Sequence, residues 1–200
     1  MSAFFVKVDI SKSEQVKNMI DATVAKYGRL DVAVNNAALT PDDKAVAEFD
    51  EDYWNRLISI DLTGTALCMK YEIQQLMKQG EGGSIINISS VSGFRPQPNT
   101  IAYVTAKHGV VGMTKTAAVE YGQHNIRVNS VAPGAVDTPM LRGALEQFGL
   151  NEKDYAPQLS LLCRFAQPVE IAQATMWLAS DQSSYVTGTT IHVDAGYTSR

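Results

Sequence analysis

The sequence predicts an α/β protein in which helices cover a parallel sheet. Short segments rich in β-branched residues alternate with longer segments in which apolar residues recur at helical spacing. The strand-like segment 84–89 carries isoleucine at neighbouring positions, so both of its faces are apolar, as in strands buried between layers of helices. No internal repeat or low-complexity linker interrupts the alternation, and we expect the 200 residues to form one domain.

The first predicted elements are a strand, a helix and a second strand. Residues 3–8 are apolar and aromatic, which suits a strand. Ser11 and Glu14 have the spacing of a capping box for the helix that follows, and Gly28 suits its carboxyl end. Residues 30–36 form the second strand. The later predicted elements are helices over 50–78 (broken near Gly64), 101–122 and 168–180, and strands over 84–89, 126–132 and 189–194.

The composition predicts a cytoplasmic protein without a nucleic-acid or membrane partner. A formal net charge of -4 and the lack of a Lys/Arg-rich run argue against a surface for nucleic acid or anionic lipid. No apolar run approaches the ~20 residues of a membrane span, and the first residues are charged too early for a signal peptide. Cys68 and Cys163 are far apart and the histidines lack ligand spacing, which predicts reduced thiols and no metal site.

Three polar side chains in the middle of the chain suit the interconversion of an alcohol and a carbonyl. Ser90 ends a predicted strand, whereas Tyr103 and Lys107 lie on one face of a predicted helix, four residues apart. A nearby ammonium group lowers the pKa of a tyrosine from about 10, which suits general acid–base catalysis near neutral pH. A serine hydroxyl can hydrogen-bond a substrate oxygen on which charge develops.

The spacing of Tyr103 and Lys107 is weak evidence by itself. With eight tyrosines in the chain, such a pair also arises by chance. The structural alternative is a half-buried helical tyrosine with the aliphatic part of a lysine packed nearby. The remaining motifs decide in favour of the catalytic interpretation.

The order of these motifs resembles the short-chain dehydrogenase/reductase family. Asn-Asn-Ala-Ala at 35–38 resembles the family's Asn-Asn-Ala-Gly turn, and Ser90 precedes Tyr103 by thirteen residues, as in many members. The pair at 137–138 resembles the segment that meets the nicotinamide, and 193–196 resembles the closing Asp-Gly-Gly. Three further motifs match the family pattern: Asp9-Ile10, Tyr103-x-x-x-Lys107 and Pro133-Gly134. The resemblance as a whole extends from residue 3 to residue 197.

The resemblance implies a Rossmann-like doubly wound sheet, NAD or NADP as cofactor, a small alcohol or carbonyl substrate, and a homo-oligomer (dimer or tetramer) formed through helices 61–79 and 101–122. It also implies that Tyr103 exchanges the proton, Ser90 holds the substrate carbonyl, and Lys107 binds the nicotinamide ribose and lowers the Tyr103 pKa. The cofactor-binding residues that it implies are Asp9, Ile10, Asn36 and Ala37 on the adenosine side, and Tyr103, Lys107, Pro133, Val136 and Thr138 on the nicotinamide side.

Several of these residues also have a purely structural interpretation. Asp9 can cap the first helix, Asn36 can be an ordinary turn residue, and Pro133 can belong to an ordinary loop. Asp61 stands where many family members carry an asparagine that helps to bind a proton-relay water. An aspartate donates no hydrogen bond unless protonated, and its charge offsets part of the lysine's effect on the tyrosine. Asp61 is a candidate catalytic residue whose relay role stays open.

The front of the chain departs from the family pattern. The family begins with a strand, a glycine-rich turn that binds the pyrophosphate, a helix and a second strand, whereas no glycine here precedes Gly28. We therefore expect an N-terminally truncated form that lacks the first two strands, leaves the sheet edge at 30–36 uncovered and binds cofactor weakly. NAD and NADP stay open. Two functions follow: an oxidoreductase, or a non-catalytic remnant that serves as an interaction module.

The stretch 140–162 is rich in large apolar residues, among them Met140, Leu145 and Phe148. If this stretch folds over the substrate, as the resemblance implies, it favours an apolar or moderately bulky molecule. Phe94 and the turn at 96–98 would add a second apolar wall. The alternative, packing against the sheet or a neighbouring subunit, is equally open.

Overall fold

The computed structural model describes residues 3–200 and shows four parallel strands. These are β1 (Val32–Asn35), β2 (Gly83–Ile88), β3 (Ile126–Pro133) and β4 (Thr190–Val193). The strands lie side by side in chain order, and each neighbouring pair is parallel. Val34 pairs with Ile86, which pairs in turn with Asn129. The predicted α/β class with a parallel sheet is confirmed.

Helices cover both faces of this sheet. They are α1 (Ser13–Tyr27), α2 (Glu51–Leu57), α3 (Thr65–Gln79), α4 (Ile101–Tyr121), α5 (Pro139–Gln147), α6 (Glu152–Leu159) and α7 (Pro168–Ala179). On one face Ile85 packs in a core with side chains of α1, α3 and α4, such as Ile73. On the other face Ile86 and Val131 pack against Leu178 of α7. Neighbouring side chains of β2 thus enter different cores, which explains its continuous apolar sequence.

Residues 3–8 do not form a strand, so that prediction is wrong. They pair with no strand, and Phe5 is 87% exposed. A strand requires a hydrogen-bonded neighbour, and β1 pairs with β2 alone among the described residues. The predicted uncovered edge at 30–36 is confirmed, because β1 has a free edge and its Val32 and Val34 are 40% and 48% exposed.

The start of α1 also differs from the prediction. The predicted capping box of Ser11 and Glu14 is wrong, since α1 begins at Ser13 and its N-cap residue, Lys12, makes no side-chain hydrogen bond. Ser11 instead donates its N–H and its hydroxyl to Asp9 Oδ1, at 3.0 and 2.7 Å. This local bond competes with capping. Gly28 ends the helix as predicted, with a φ of +85° that favours glycine.

The helical region before β2 widens at its centre rather than breaking. A π-helical segment, Ile58–Gly64, joins α2 to α3, so the predicted break near Gly64 is wrong. Gly64 is required by close packing, because a Cβ there would lie 2.7 Å from Cγ1 of Ile10. Such π segments are frequent at functional sites, and this one carries Asp61.

Candidate active site

The site lies at the carboxyl end of β2, where parallel α/β sheets bind their ligands. Ser90 follows the end of β2 and is buried, and its Oγ accepts the N–H of Ser92 at 3.1 Å. Tyr103 is half-buried in the first turn of α4, and the Ser90 side chain is near enough to lower the pKa of its hydroxyl. The structure therefore brings together the serine and the tyrosine that the sequence singled out.

Lys107 and Asp61 form a buried ion pair next to the tyrosine. Lys107 Nζ lies 3.7 Å from Asp61 Oδ2, donates to the carbonyl of Ile88 at 3.3 Å, and lies 5.2 Å from the centroid of the Tyr103 ring. Asp61 has no exposed surface, and its Oδ1 accepts the N–H of Leu39 at 2.8 Å. Its Oδ2 has no hydrogen-bond partner among the described residues. An ionised oxygen in this position has room for a further donor.

Burial dominates the protonation of these groups. It raises the pKa of Tyr103 to about 12, against the lowering effect of the nearby Ser90 side chain, and the charge of Asp61 raises it further. Burial also lowers the pKa of Lys107 and raises that of Asp61, while each partner's charge opposes the change. A lowering effect of Lys107 on the Tyr103 pKa stays a prediction. The charge of Asp61 raises the Tyr103 pKa, which is the direction expected for an effect opposed to that of Lys107.

The residues assigned to the adenosine side lie around an open cleft of about 480 Å³. It is lined by Val8, Asp9, Ile10, Ser11, Ala37, Ala38, Arg56, Ser59 and Ile60. Asn36 is exposed but does not line it. Hydrogen bonds from Ser11 lower the pKa of Asp9. The alternative that Asp9 caps the first helix is wrong, because the N-cap residue of α1 is Lys12 and no side chain caps it. Whether Asp9 also contacts a purine stays a prediction.

The sequence analysis missed Arg56, which lies on α2 and lines the same cleft. Its side chain makes no ion pair or hydrogen bond with any described residue, and its backbone carbonyl accepts from Ser59 at 2.7 Å. Nothing in the order of the motifs points to Arg56, because it lies nineteen positions after Ala37 in the sequence, on a different element.

The segment assigned to the nicotinamide side, residues 133–138, is half-buried and contacts neighbouring parts of the structure. Pro133 ends β3, and a Cβ on Gly134 would lie 2.8 Å from Cα of Asp194. Val136 forms a parallel bridge with Ala166, and Thr138 caps α5 by accepting the N–H of Leu141 at 3.4 Å. Pro133, Val136 and Thr138 are thus placed in one rigid turn beyond the carboxyl end of β3. Their contact with a cofactor stays a prediction.

The predicted lid contains two helices, α5 and α6, that the sequence analysis did not resolve. Leu145, Ala156 and Phe165 form its buried core. Arg142 of α5 binds Asp137 at 2.6 Å and Glu152 of α6 at 2.8 Å, which fastens both helices to the turn after β3. Pro139 occupies the first position of α5, where proline is favoured, and this was a signal in the sequence for the start of a helix. Several lid side chains are exposed; they are Met140, Phe148, Leu150, Leu161 and Leu162.

Comparisons with known proteins agree with this architecture. A family model described as enoyl-(acyl carrier protein) reductase matches residues 1–198. The chain is 54% identical over 192 residues to the short chain dehydrogenase/reductase astE of Aspergillus oryzae, an alignment that covers 96% of this chain and 74% of that one. It is 43% identical over 196 residues to 2,5-dichloro-2,5-cyclohexadiene-1,4-diol dehydrogenase of Sphingobium indicum, covering 98% and 78%.

Solved structures show the same likeness. ElxO with NADP bound superposes with a TM-score of 0.92 at 34% identity, covering 98% of this chain and 79% of that chain. Carveol dehydrogenase from Mycobacterium avium in complex with NAD gives a TM-score of 0.91 at 36% identity, covering 98% and 74%. The chain belongs to the short-chain dehydrogenase/reductase family, and the relatives named here are enzymes. Among residues 3–200, no helix is long and apolar enough to cross a membrane.

Proposed function

We propose that the protein is an NAD(P)-dependent oxidoreductase that interconverts a secondary alcohol and a carbonyl. The observation that carries this proposal is the placement of Tyr103 near Ser90 and beside the buried ion pair of Lys107 and Asp61, with Lys107 Nζ 5.2 Å from the centroid of the Tyr103 ring. The family membership supports the reaction class. The relatives' cofactors, NADP and NAD, support the cofactor class without choosing between the two.

Tyr103 is the proton donor in the direction of carbonyl reduction. A pKa of about 12 keeps its hydroxyl protonated at neutral pH, so the donor form is the populated one. Ser90 orients the substrate oxygen by a hydrogen bond that strengthens as negative charge develops. Lys107, held by Asp61, supplies the positive charge that stabilises the resulting phenolate. The nicotinamide supplies or accepts the hydride when bound.

The described residues fit such a cofactor at its two ends. The 480 Å³ cleft beside Asp9 and Arg56 suits an adenosine moiety, and the turn of Val136 and Thr138 suits the carboxamide. The unpartnered Oδ2 of Asp61 suits a polar group or water near the reacting atoms. A glycine-rich cradle for the pyrophosphate is not present in residues 1–200, whose first glycine is Gly28. We therefore infer that this chain by itself holds the dinucleotide weakly.

The substrate is a cyclic or moderately bulky secondary alcohol. The exposed apolar side chains of the lid, such as Met140 and Leu162, support this inference. Phe94, whose ring packs against that of His192 in a tilted arrangement with 4.4 Å between centroids, offers the second apolar wall. The relative from Sphingobium indicum, a cyclohexadiene-diol dehydrogenase, is consistent with a ring-shaped substrate. Higher kcat/KM for small polyols than for cyclic alcohols would contradict it.

A second function is favoured by the free edge of β1. Its exposed valines are compatible with a non-catalytic module that pairs with relatives of this chain. Assembly through the helical region 61–79 and helix 101–122 remains part of our proposal. Their exposed faces are mainly polar, with Val119 of α4, at 85% exposure, as the main apolar exception.

The Tyr103→Phe variant tests the enzymatic function. We expect it to lose about 10²–10⁴-fold in kcat, because the proton donor is gone while the ring packing stays. Tyr121→Phe, at the other end of α4, is the matched control and should keep the rate. Turnover is followed by NADH and NADPH absorbance with a panel of cyclic ketones. Retention of more than about a tenth of the rate in Tyr103→Phe is incompatible with the assigned role.

A further inference from the structure

The first turn of α4, which carries Tyr103, is capped by a residue that lies far away in the sequence. Asp42 Oδ2 accepts the N–H of Ala102 at 3.0 Å, and its Oδ1 accepts the N–H of Tyr103 at 3.1 Å. The local N-cap residue, Thr100, makes no side-chain cap bond, because its hydroxyl donates to the carbonyl of Gln97 at 3.0 Å. Asp42 therefore fills a role that the helix's own sequence leaves open.

Asp42 belongs to a short segment, residues 39–44, that connects the site's main parts. At one end Leu39 donates its N–H to Asp61 at 2.8 Å. At the other end Lys44 forms a parallel bridge with Thr100, directly before α4. In between, the Tyr53 hydroxyl donates to the carbonyl of Thr40 at 2.7 Å and fastens the segment to α2. One segment thus contacts both the buried acid and the helix that carries the tyrosine.

The same segment also reaches the lid. Gln147 at the end of α5 donates to Asp43 Oδ2 at 3.2 Å. A displacement of the lid on substrate entry therefore acts on the neighbour of the residue that caps α4. A two-bond carboxylate cap is suited to hold the helix against such a displacement, because charge-assisted hydrogen bonds to N–H groups are the stronger kind.

We propose that Asp42 is a positioning residue for Tyr103: its carboxylate fixes the first turn of α4 so that the tyrosine hydroxyl stays against Ser90. The 39–44 segment sets the distance between this turn and Asp61. This inference rests on the proposed function, in which Tyr103 exchanges the proton. Displacement of a reacting group by about 1 Å can cost about a hundredfold in rate, so loss of the cap should appear mainly in kcat.

Two substitutions at Asp42 form a graded series. Asp42→Asn keeps one acceptor oxygen for the two N–H groups, and Asp42→Ala keeps none. We expect kcat to fall about tenfold in Asp42→Asn and up to about a hundredfold in Asp42→Ala, with KM for substrate changed less than about threefold. The melting temperature should fall by a few degrees in Asp42→Ala, as for any lost cap.

Two controls separate positioning from charge and from stability. Asp43→Asn removes the same charge one position away and should keep kcat. Asp50→Ala removes an aspartate that caps α2 by accepting from Asp52 and Tyr53, both at 3.0 Å, and should lower the melting temperature similarly while keeping kcat. If kcat in Asp42→Ala falls no further than in Asp50→Ala, the positioning role is overturned.

A spectroscopic measurement decides the same point without turnover. In protein labelled with ¹³C at the tyrosine Cζ, the Tyr103 signal is assigned by its loss in Tyr103→Phe. We expect it to shift in Asp42→Ala and to stay in place in Asp43→Asn; an unmoved signal in Asp42→Ala overturns the inference. If Tyr103→Phe is inactive while Asp42→Ala is fully active, the positioning role alone fails. If Tyr103→Phe is active, the proposed function fails.

Discussion

The catalytic end and the adenosine end of the site differ in how their charges are held. At the catalytic end, Asp61 and Lys107 are 0% and 3% exposed and pair with each other among β2, α4 and the π segment. At the adenosine end, Asp9 and Arg56 are exposed around an open cleft next to the free edge of β1. The proposed proton-transfer group is therefore built into the core, whereas the cleft proposed for adenosine is an open part of the surface.

The buried charges and the exposed charges also differ in how much free energy their removal costs. A buried ion pair is costly to break because the remaining charge has no solvent to stabilise it. Exposed charges are screened and contribute little to stability. Substitutions at the catalytic end should therefore change both stability and chemistry, and those at the adenosine end should change binding or assembly alone.

Lys107→Met should produce the largest change in stability. It leaves the Asp61 carboxylate buried without its cation, and we expect the free energy of unfolding to fall by about 3–5 kcal/mol. Urea denaturation measures the change. Lys107→Met combined with Asp61→Asn should recover most of the loss, because no uncompensated charge remains. A single variant as stable as the wild type would show that the two groups are not coupled.

The titration of Glu72 tests whether the core between α3 and β1 excludes solvent as the catalytic end does. It is buried on α3 and accepts from Asn35 at 3.0 Å, and burial raises its pKa to about 7 from an ordinary 4.5. A raised acid pKa means that the folded state binds the proton more tightly than the unfolded state. Stability should therefore fall as pH rises from 4.5 to about 7, by about 3 kcal/mol in total.

Glu72→Gln should remove this dependence, because the amide does not ionise, and its carbonyl oxygen still accepts from Asn35. Chemical denaturation from pH 5 to pH 8 follows the effect, with Glu14→Gln on the exposed side of α1 as the control. An identical pH profile for Glu72→Gln and wild type would mean that the region opens to solvent.

Cofactor binding probes the adenosine end directly. In a fluorescence titration of residues 1–200, we expect millimolar rather than micromolar affinity for NADH and NADPH, since the pyrophosphate lacks a glycine-rich cradle. Arg56→Gln should weaken binding by about threefold through loss of stacking on the purine. Arg29→Gln, whose guanidinium already pairs with Asp31 and Glu81, is the control. Micromolar affinity would reveal another anion-binding group.

We expect single substitutions to change self-association less than they change stability or cofactor binding. The uncovered β1 predicts self-association in sedimentation velocity. Val34→Lys should shift the distribution towards monomer, because an edge lysine opposes strand pairing. Val119→Lys on α4 tests the alternative of association through the helices. A wild type that sediments as a monomer at moderate concentration contradicts both routes.

Much of the fold followed from local sequence patterns. The alternation of elements, the ends of α1 and α4 and the strand at 84–89 required only periodicity and glycine placement. The residues 3–8 misled this reasoning, since an apolar run forms a strand only beside a partner. The π segment, in which Gly64 packs closely against Ile10, was also missed.

For the site too, some features followed from the sequence and others only from the tertiary structure. The sequence by itself determined which residues gather at the carboxyl end of β2, since Ser90, Tyr103 and Lys107 occupy fixed places in adjacent elements. Only the tertiary structure decided their electrostatics, because folding buries Tyr103, which raises its pKa, and places Lys107 beside Asp61. It also supplied Asp42 and Arg56, whose contacts join segments far apart in sequence. Local propensity carries no information about such contacts, since burial and distance exist only after the chain has folded.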